Sequence, residues 1–299
     1  MICSITRTQA IEMLSGIGIC MLLILGTVAG ADQDECAEKY KLVENHSACK
    51  PASPDATNLG VSEADKKLIV EMHNKARKEV QPKAADMAKM SWDDSIANIA
   101  QRWVQTCVWG HDGNSARKDI GRYAAGQNMA SNQANWESAV QGWIDEKQDW
   151  TFANITHDGS MTNVMHYTQV IWANSFKIGC GYAKCSGTNR YVCNYGPPGN
   201  YKDKTPYTKG TESCSACSSR CNDTLCDCGG IDCYNTATIK WDTCSCTCGA
   251  YSNAIQPNCA LDCTGDKSWL CKDEKQREFA CKYFPELCPN VCKWCPAAG

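Results

Sequence analysis

The sequence predicts an α+β protein in which helices and an antiparallel hairpin are followed by small modules held together by disulfides. Three observations carry this expectation. Apolar residues recur at helical spacing in the first half, residues alternate around 178–195, and the last third is dense with cysteine.

The helices have readable starts. Ser62 with Asp65 forms a capping-box-like pair, and Pro82 stops the helix it opens. Leu68, Met72 and Ala76 form its buried face, with Ile69, His73 and Val80 flanking, so His73 reads as a structural residue. A second helix is expected over 91–107, with Ser91 as N-cap, Asp93 and Asp94 in the first turn, and Ile96, Ile99, Ala100, Trp103 and Cys107 as the stripe. A third is expected over 136–150, packing through Val140, Trp143 and Trp150. His166 opens a fourth, short helix. There His166, Gln169 and Val170 share a face while Ile171 and Trp172 anchor the other side, an arrangement that fixes an imidazole rigidly. Two strands follow. Ile178, Cys180 and Tyr182 alternate, as do Tyr191, Cys193 and Tyr195, and a turn at Ser186-Gly187 sets Cys180 opposite Cys193.

A chain of 299 residues holds one medium domain plus small ones, and a formal charge of −3 gives no basic field for nucleic acid. Arg7, the apolar run Ile17 to Val28 and the small residues Ala29-Gly30-Ala31 read as a signal peptide over 1–31, too short for a membrane span. Of 24 cysteines, Cys3 and Cys20 leave with it, and the even number remaining fits full pairing in a secreted, extracellular protein. Asn45, Asn154 and Asn222 begin N-glycosylation triplets. Residues 32–60 form an N-terminal extension in which Cys36 and Cys49 bracket a short loop and are expected to pair. A main domain over 61–205 follows, with a Lys-, Thr- and Pro-containing linker at 201–210. Ten cysteines lie between Cys214 and Cys259, within a cysteine-rich region assigned to 206–259, and a six-cysteine module occupies 260–299.

Two runs carry a family resemblance. His166-Tyr167-Thr168-Gln169-Val170-Ile171-Trp172 and Tyr191-Val192-Cys193-Asn194-Tyr195-Gly196-Pro197-Pro198-Gly199-Asn200-Tyr201 resemble, in the right order, the two signatures of the CAP superfamily of cysteine-rich secretory and pathogenesis-related proteins. Met165 departs from the pattern, which has Gly or a charged residue there. The resemblance implies a three-layer α-β-α sandwich and the bonds Cys107–Cys185 and Cys180–Cys193. A third family bond would need cysteines shortly before Gly126 and at Gly196, and both are absent together. The spacing Cys36, Tyr40, Cys49 is similar to that of molluscan venom members.

The family's cleft tetrad of two histidines and two acids maps onto His111, Glu146 and His166, with Gln127 in place of one acid. The resemblance implies that His111 and His166 are candidate ligands for Zn²⁺ or another divalent metal, though none is required for the fold. The same set could act in acid–base chemistry, but Gln127 cannot take a proton near neutral pH while it still donates and accepts hydrogen bonds. No residue is assigned as catalytic. A metal-dependent protease is the enzyme alternative, and sterol or lipid binding, known in the family, is another.

At the C-terminus, Cys214 to Cys226 resembles the hinge that follows CAP domains in cysteine-rich secretory proteins, and 228–259 is EGF-like in spacing, with a zinc knuckle as the minor alternative. Residues 263–295 resemble the ShK fold of sea-anemone potassium-channel toxins, which implies Cys263–Cys295, Cys271–Cys288 and Cys281–Cys292 among fifteen connectivities open to six cysteines. Lys282-Tyr283 matches that toxin's Lys-Tyr dyad in distance from Cys288, although the loop from Cys281 is shorter. Six basic and five acidic residues between Cys263 and Cys295 give only weak steering toward an acidic channel mouth. The expectation is a non-enzymatic binding protein or venom component that modulates an ion channel or another extracellular receptor.

Overall fold

The computed structural model describes residues 36–58, 60–235, 237–248, 254–266 and 268–295. The expected signal peptide lies outside them. Among the described residues no helix is long and apolar enough to cross a membrane. After a short helix α1 (Glu38–Lys41), strand β1 (Ala56–Thr57) leads to α2 (Glu63–Lys78). Ser62 caps α2 by accepting the Asp65 N–H at 3.1 Å and donating its hydroxyl to the Asp65 carboxylate at 2.6 Å. The buried stripe is Ile69, His73 and Ala76, with Leu68 and Met72 only half-buried, so the face is rotated from the one the apolar residues suggested. The reason is Arg77. It is fully buried, and its guanidinium donates five hydrogen bonds to the carbonyls of Ala88, Val170, Trp172 and Ala173, which draws its side of the helix inward.

Ser91 does not cap the next helix. Ser91–Trp92 is strand β2, and α3 (Asp94–Val104) starts after Asp93, whose carboxylate accepts the Ile96 N–H at 3.1 Å. The helix ends before Cys107, which sits beyond it at φ 59°. Strand β3 (Gly126–Ser131) precedes α4 (Trp136–Asp145), which ends in a 3₁₀ turn, Glu146–Asp149, so that the expected helix over 136–150 is shorter. Helix α5 (Met165–Val170) and the hairpin of β4 (Lys177–Cys185) and β5 (Thr188–Gly196) complete the domain.

The strands form one sheet in the order β1-β4-β5-β3, with β2 parallel to β4 at its start. Cys180 faces Cys193 in the β4–β5 register and is bonded to it. Helix α3 covers one face. It lies so close that a side chain at Gly179 or Gly181 would run into its backbone at Ala97 and Gln101. The opposite face, through Ile178, Cys180, Tyr191 and Tyr195, packs on Ile69, Val140, Trp143 and Val170 of α2, α4 and α5. This is a three-layer α-β-α sandwich. Each helix contributes one apolar stripe, and the central strands are apolar on both faces because both are covered.

The expected linker at 201–210 is instead pinned to the sandwich. Tyr207 is in the core, Ala85 donates to the Thr208 carbonyl at 2.8 Å, and Ala84 bridges Lys209. Beyond it the chain is held by disulfides: Cys214–Cys221, Cys217–Cys226, Cys228–Cys244, Cys233–Cys246 and Cys248–Cys259. The last module pairs Cys263–Cys295, Cys271–Cys288 and Cys281–Cys292 around helix α6 (Glu274–Tyr283). Cys36–Cys49 and Cys107–Cys185 are also bonded, so every described cysteine is in a disulfide.

Candidate functional site

The cleft residues assemble as two hydrogen-bonded pairs. Glu146 ends α4 and reaches the start of α5. One carboxylate oxygen accepts the backbone N–H groups of His166 and Tyr167, both at 3.0 Å, and the other lies 2.6 Å from His166 Nδ1. A short helix has N–H groups with no partner in its first turn, and Glu146 satisfies two of them while orienting the imidazole. At the other end of α5, Arg77 takes the carbonyls of Val170, Trp172 and Ala173. Six residues are too few to be stable as an isolated helix, so these two side chains hold both of its ends. The Trp143 ring, 6.2 Å from the His166 ring between centroids, backs the imidazole from α4.

The second pair comes from the other side of β3. His111 follows the disulfide-anchored turn at Cys107, and its Nδ1 is 2.7 Å from Gln127 Oε1. The Gln127 amide donates both of its protons, to Asp112 Oδ1 and Asn194 Oδ1, each at 3.0 Å. Asp112 is buried and ion-paired with Arg117 at 2.7 Å, and it also accepts the Ser47 hydroxyl from the N-terminal extension. The orientation of the amide follows from this. Turned over, it would set its oxygen against a carboxylate, so Oε1 faces His111 and Nδ1 carries the proton. Asp112, Arg117, Ser47 and Asn194 escaped the sequence reading. Asn194 stood in the second signature without a role, and Asp112 adjoins His111, but nothing local marked Arg117 or Ser47.

In both pairs Nδ1 faces an oxygen acceptor, which leaves Nε2 as the nitrogen that would bind a metal in the neutral ring. A buried oxygen acceptor behind a histidine is the usual support for a metal ligand. The pairs are not hydrogen-bonded to each other among the described residues. They are joined through β3, where Asn128, next to Gln127, donates to the His166 carbonyl at 3.0 Å and to Tyr195 Oη at 3.1 Å. Tyr195 lies 2.9 Å from Nε2 of buried His73, whose Nδ1 donates to the Ile69 carbonyl at 2.7 Å. Burial pushes His73 down to about 4, so this imidazole is a neutral hydrogen-bonding post. Near His111, Val108 and Trp109 are more than half exposed, and the Arg190 guanidinium lies 5.7 Å from the Trp109 ring.

The other sequence-derived candidates lie elsewhere. Lys282 and Tyr283 are exposed at the end of α6, with Lys282 Nζ 5.3 Å from the Tyr283 ring centroid. Asn45, Asn154 and Asn222 are all exposed.

Residues 70–195 match the family model described as CAP, the cysteine-rich secretory protein family. Over 300 residues the chain is 32% identical to a cysteine-rich venom protein of Conus textile, covering 94% of this chain and 97% of that one. It is 32% identical to cysteine-rich venom protein Mr30 of Conus marmoreus, across 93% of this chain and 92% of the relative. It is 37% identical to cysteine-rich secretory protein 1 of Mus musculus over 185 residues, covering 60% of this chain. Among solved structures, that titled NaASP2 with Zn²⁺ superposes with a TM-score of 0.51 at 31% identity, over 56% of this chain and 97% of that one.

Proposed function

The chain belongs to the cysteine-rich secretory protein (CAP) family, and from that we propose that it is a secreted, non-enzymatic binding protein that engages an extracellular membrane receptor, an ion channel being the first candidate, through its C-terminal module. One observation carries this reading. Phe279, Tyr283 and Phe284 are 50%, 55% and 45% exposed, with Phe279 centred 5.0 Å from Tyr283 and 6.0 Å from Phe284. Lys282 stands among them. Aromatic rings left in water next to a cation form the kind of cluster that dominates binding interfaces. The module does not use these rings in its own core, which gathers Ala280, disulfide cysteines and the half-buried Leu270, Leu287 and Trp294. The test is to record voltage-gated potassium and calcium currents under the full-length protein. Block that weakens about tenfold or more in Lys282→Ala or Phe279→Ser is expected, a loss of roughly 1.4 kcal/mol. No effect on any current at concentrations where a known toxin blocks would overturn the channel assignment.

A second reading, supported by the two Nδ1-anchored imidazoles, is divalent-metal binding at His111 and His166. The chemistry of the donors suits Zn²⁺: two imidazoles, each with an oxygen acceptor at Nδ1 and Nε2 left to bind. A bound ion would supply a fixed positive charge in the cleft. Glu146 and Gln127 would orient the rings. Gln127, where the family has an acid, counts against proteolysis, because an amide is not a base. Zn²⁺ binding followed by calorimetry should fall at least tenfold in His166→Ala, and unchanged affinity removes this site.

A further inference from the structure

A cavity of about 950 Å³ opens where the sandwich meets the cysteine-rich region, and none of His111, Gln127, Glu146 or His166 lines it. Its walls are aromatic. On the sandwich side stand Trp172, after α5, and Phe176, at the entry to β4. The second family signature contributes Pro197, Pro198 and Tyr201, and the far wall is Ile239 and Trp241 of the cysteine-rich region. The rings meet in pairs: Trp172 and Tyr201 are 6.0 Å apart between centroids, and Phe176 meets Trp241 edge-on at 5.7 Å. Trp172 and Phe176 are buried at the base, whereas Tyr201 is 53% exposed at the rim. Lys202 and Lys204 line the same rim. Both are exposed, and among the described residues neither ammonium has a carboxylate partner. The one acid on this wall, Asp86, accepts the Thr208 N–H at 2.9 Å and keeps its charge.

We propose that this cavity binds a flat aromatic molecule bearing a single anionic group, an aryl carboxylate or aryl sulfonate. Its ring would stack among Trp172, Tyr201, Phe176 and Trp241, and its anion would face Lys202 and Lys204. Three features favour that class. The volume is that of a small-molecule site. Four aromatic side chains on one lining, Trp172, Phe176, Tyr201 and Trp241, offer ring faces and edges for offset or edge-to-face contact with another flat ring. Two lysines against one acid, Asp86, on the lining favour a negative charge over a cation. The site depends on both parts of the chain, since Ile239 and Trp241 close what the signature residues open. It is independent of both readings above.

The probe is naphthalene-2-sulfonate, titrated into the full-length protein by calorimetry, with uncharged 2-naphthol and laurate as comparators. Saturable one-to-one binding is expected. It should weaken about tenfold in the double variant Lys202→Ala/Lys204→Ala while 2-naphthol binding is unchanged. Tyr201→Ala, a change at an exposed ring that leaves the core intact, should weaken both aromatic ligands. His166→Ala should alter neither, which separates this site from the imidazole cleft. Absence of saturable binding overturns the proposal, and so does binding indifferent to Tyr201 and to both lysines. Laurate binding more tightly than naphthalene-2-sulfonate overturns the aromatic class.

Discussion

Gln127 shows how one residue's environment decides its chemistry. Its amide has three hydrogen-bond partners, and two of them, Asp112 Oδ1 and Asn194 Oδ1, accept only. A carboxylate there would face the buried Asp112 carboxylate without a proton to share. Gln127→Glu should therefore destabilise the protein by about 2 kcal/mol at neutral pH, read as a fall in Tm. The penalty should shrink as pH drops toward about 4, because like-charge repulsion and burial raise the new group's pKa above its ordinary value and its protonated form can again donate. A constant penalty across pH would show that shape rather than charge is at fault. The substitution is thus built into a relay, Ser47 and Arg117 to Asp112 to Gln127 to His111, through which the N-terminal extension reaches the cleft.

Among elements, α2 is joined to β5 and β3 through His73, Tyr195 and Asn128, and to α5 through Arg77. Burial pushes both basic side chains down, Arg77 to about 9 and His73 to about 4. Below an ordinary histidine value of about 6.5, the unfolded chain takes up a proton that native His73 refuses. Its contribution to stability is therefore complete above pH 6.5 and is lost as pH falls to about 4. Over that window the wild type should lose stability more steeply than His73→Gln, by at most about 1.4 kcal/mol per pH unit. Parallel curves in urea unfolding would rule out a neutral His73. The missing family disulfide is also settled at this scale. Tyr123, three residues before Gly126, lays its ring against Gly196 so closely that no side chain fits there. An aromatic contact thus occupies the position where a cross-link would stand.

For the molecule as a whole, one guanidinium gathers three segments. Arg122 pairs with Asp93 at 2.5 Å, Asp119 at 2.8 Å and Asp232 of the cysteine-rich region at 2.9 Å, and Asp119 also takes Lys39 and the Tyr40 hydroxyl of the N-terminal extension. Burial works against Asp93, yet the hydrogen bonds and charge of Arg122 hold it below the usual carboxylate range. Lys177 adds a 3.5 Å contact to Asp232 and donates to the Gly230 carbonyl at 2.8 Å. Asp232→Ala should loosen the cysteine-rich region without unfolding the sandwich. Amide exchange over 228–246 should quicken while β4 and β5 stay protected, and uniform protection would show that the disulfides and Trp241 suffice.

The helices, the hairpin, its register and the two family runs were legible because they are local. Period, capping residues and turn chemistry act within a few positions, and a signature is a contiguous string. His111, Glu146 and His166 could be named from short motifs for the same reason. Where competing local signals met, the sequence was misread. Ser91 and Asp93 both suit an N-cap, and only the pairing of β2 with β4 removes Ser91. Arg77 looks like a surface residue until the carbonyls of Val170, Trp172 and Ala173, at and just beyond the end of α5, surround it. By itself, then, the sequence determined the family, the α+β elements and the candidate imidazoles. Tertiary structure alone decided what stands behind each imidazole, why Gln127 must be an amide, how the three segments meet at Arg122, and that an aromatic cavity exists. Those properties depend on side chains up to 110 positions apart meeting in buried or partly buried places, where an unmet hydrogen bond or charge is costly, and no local pattern records that.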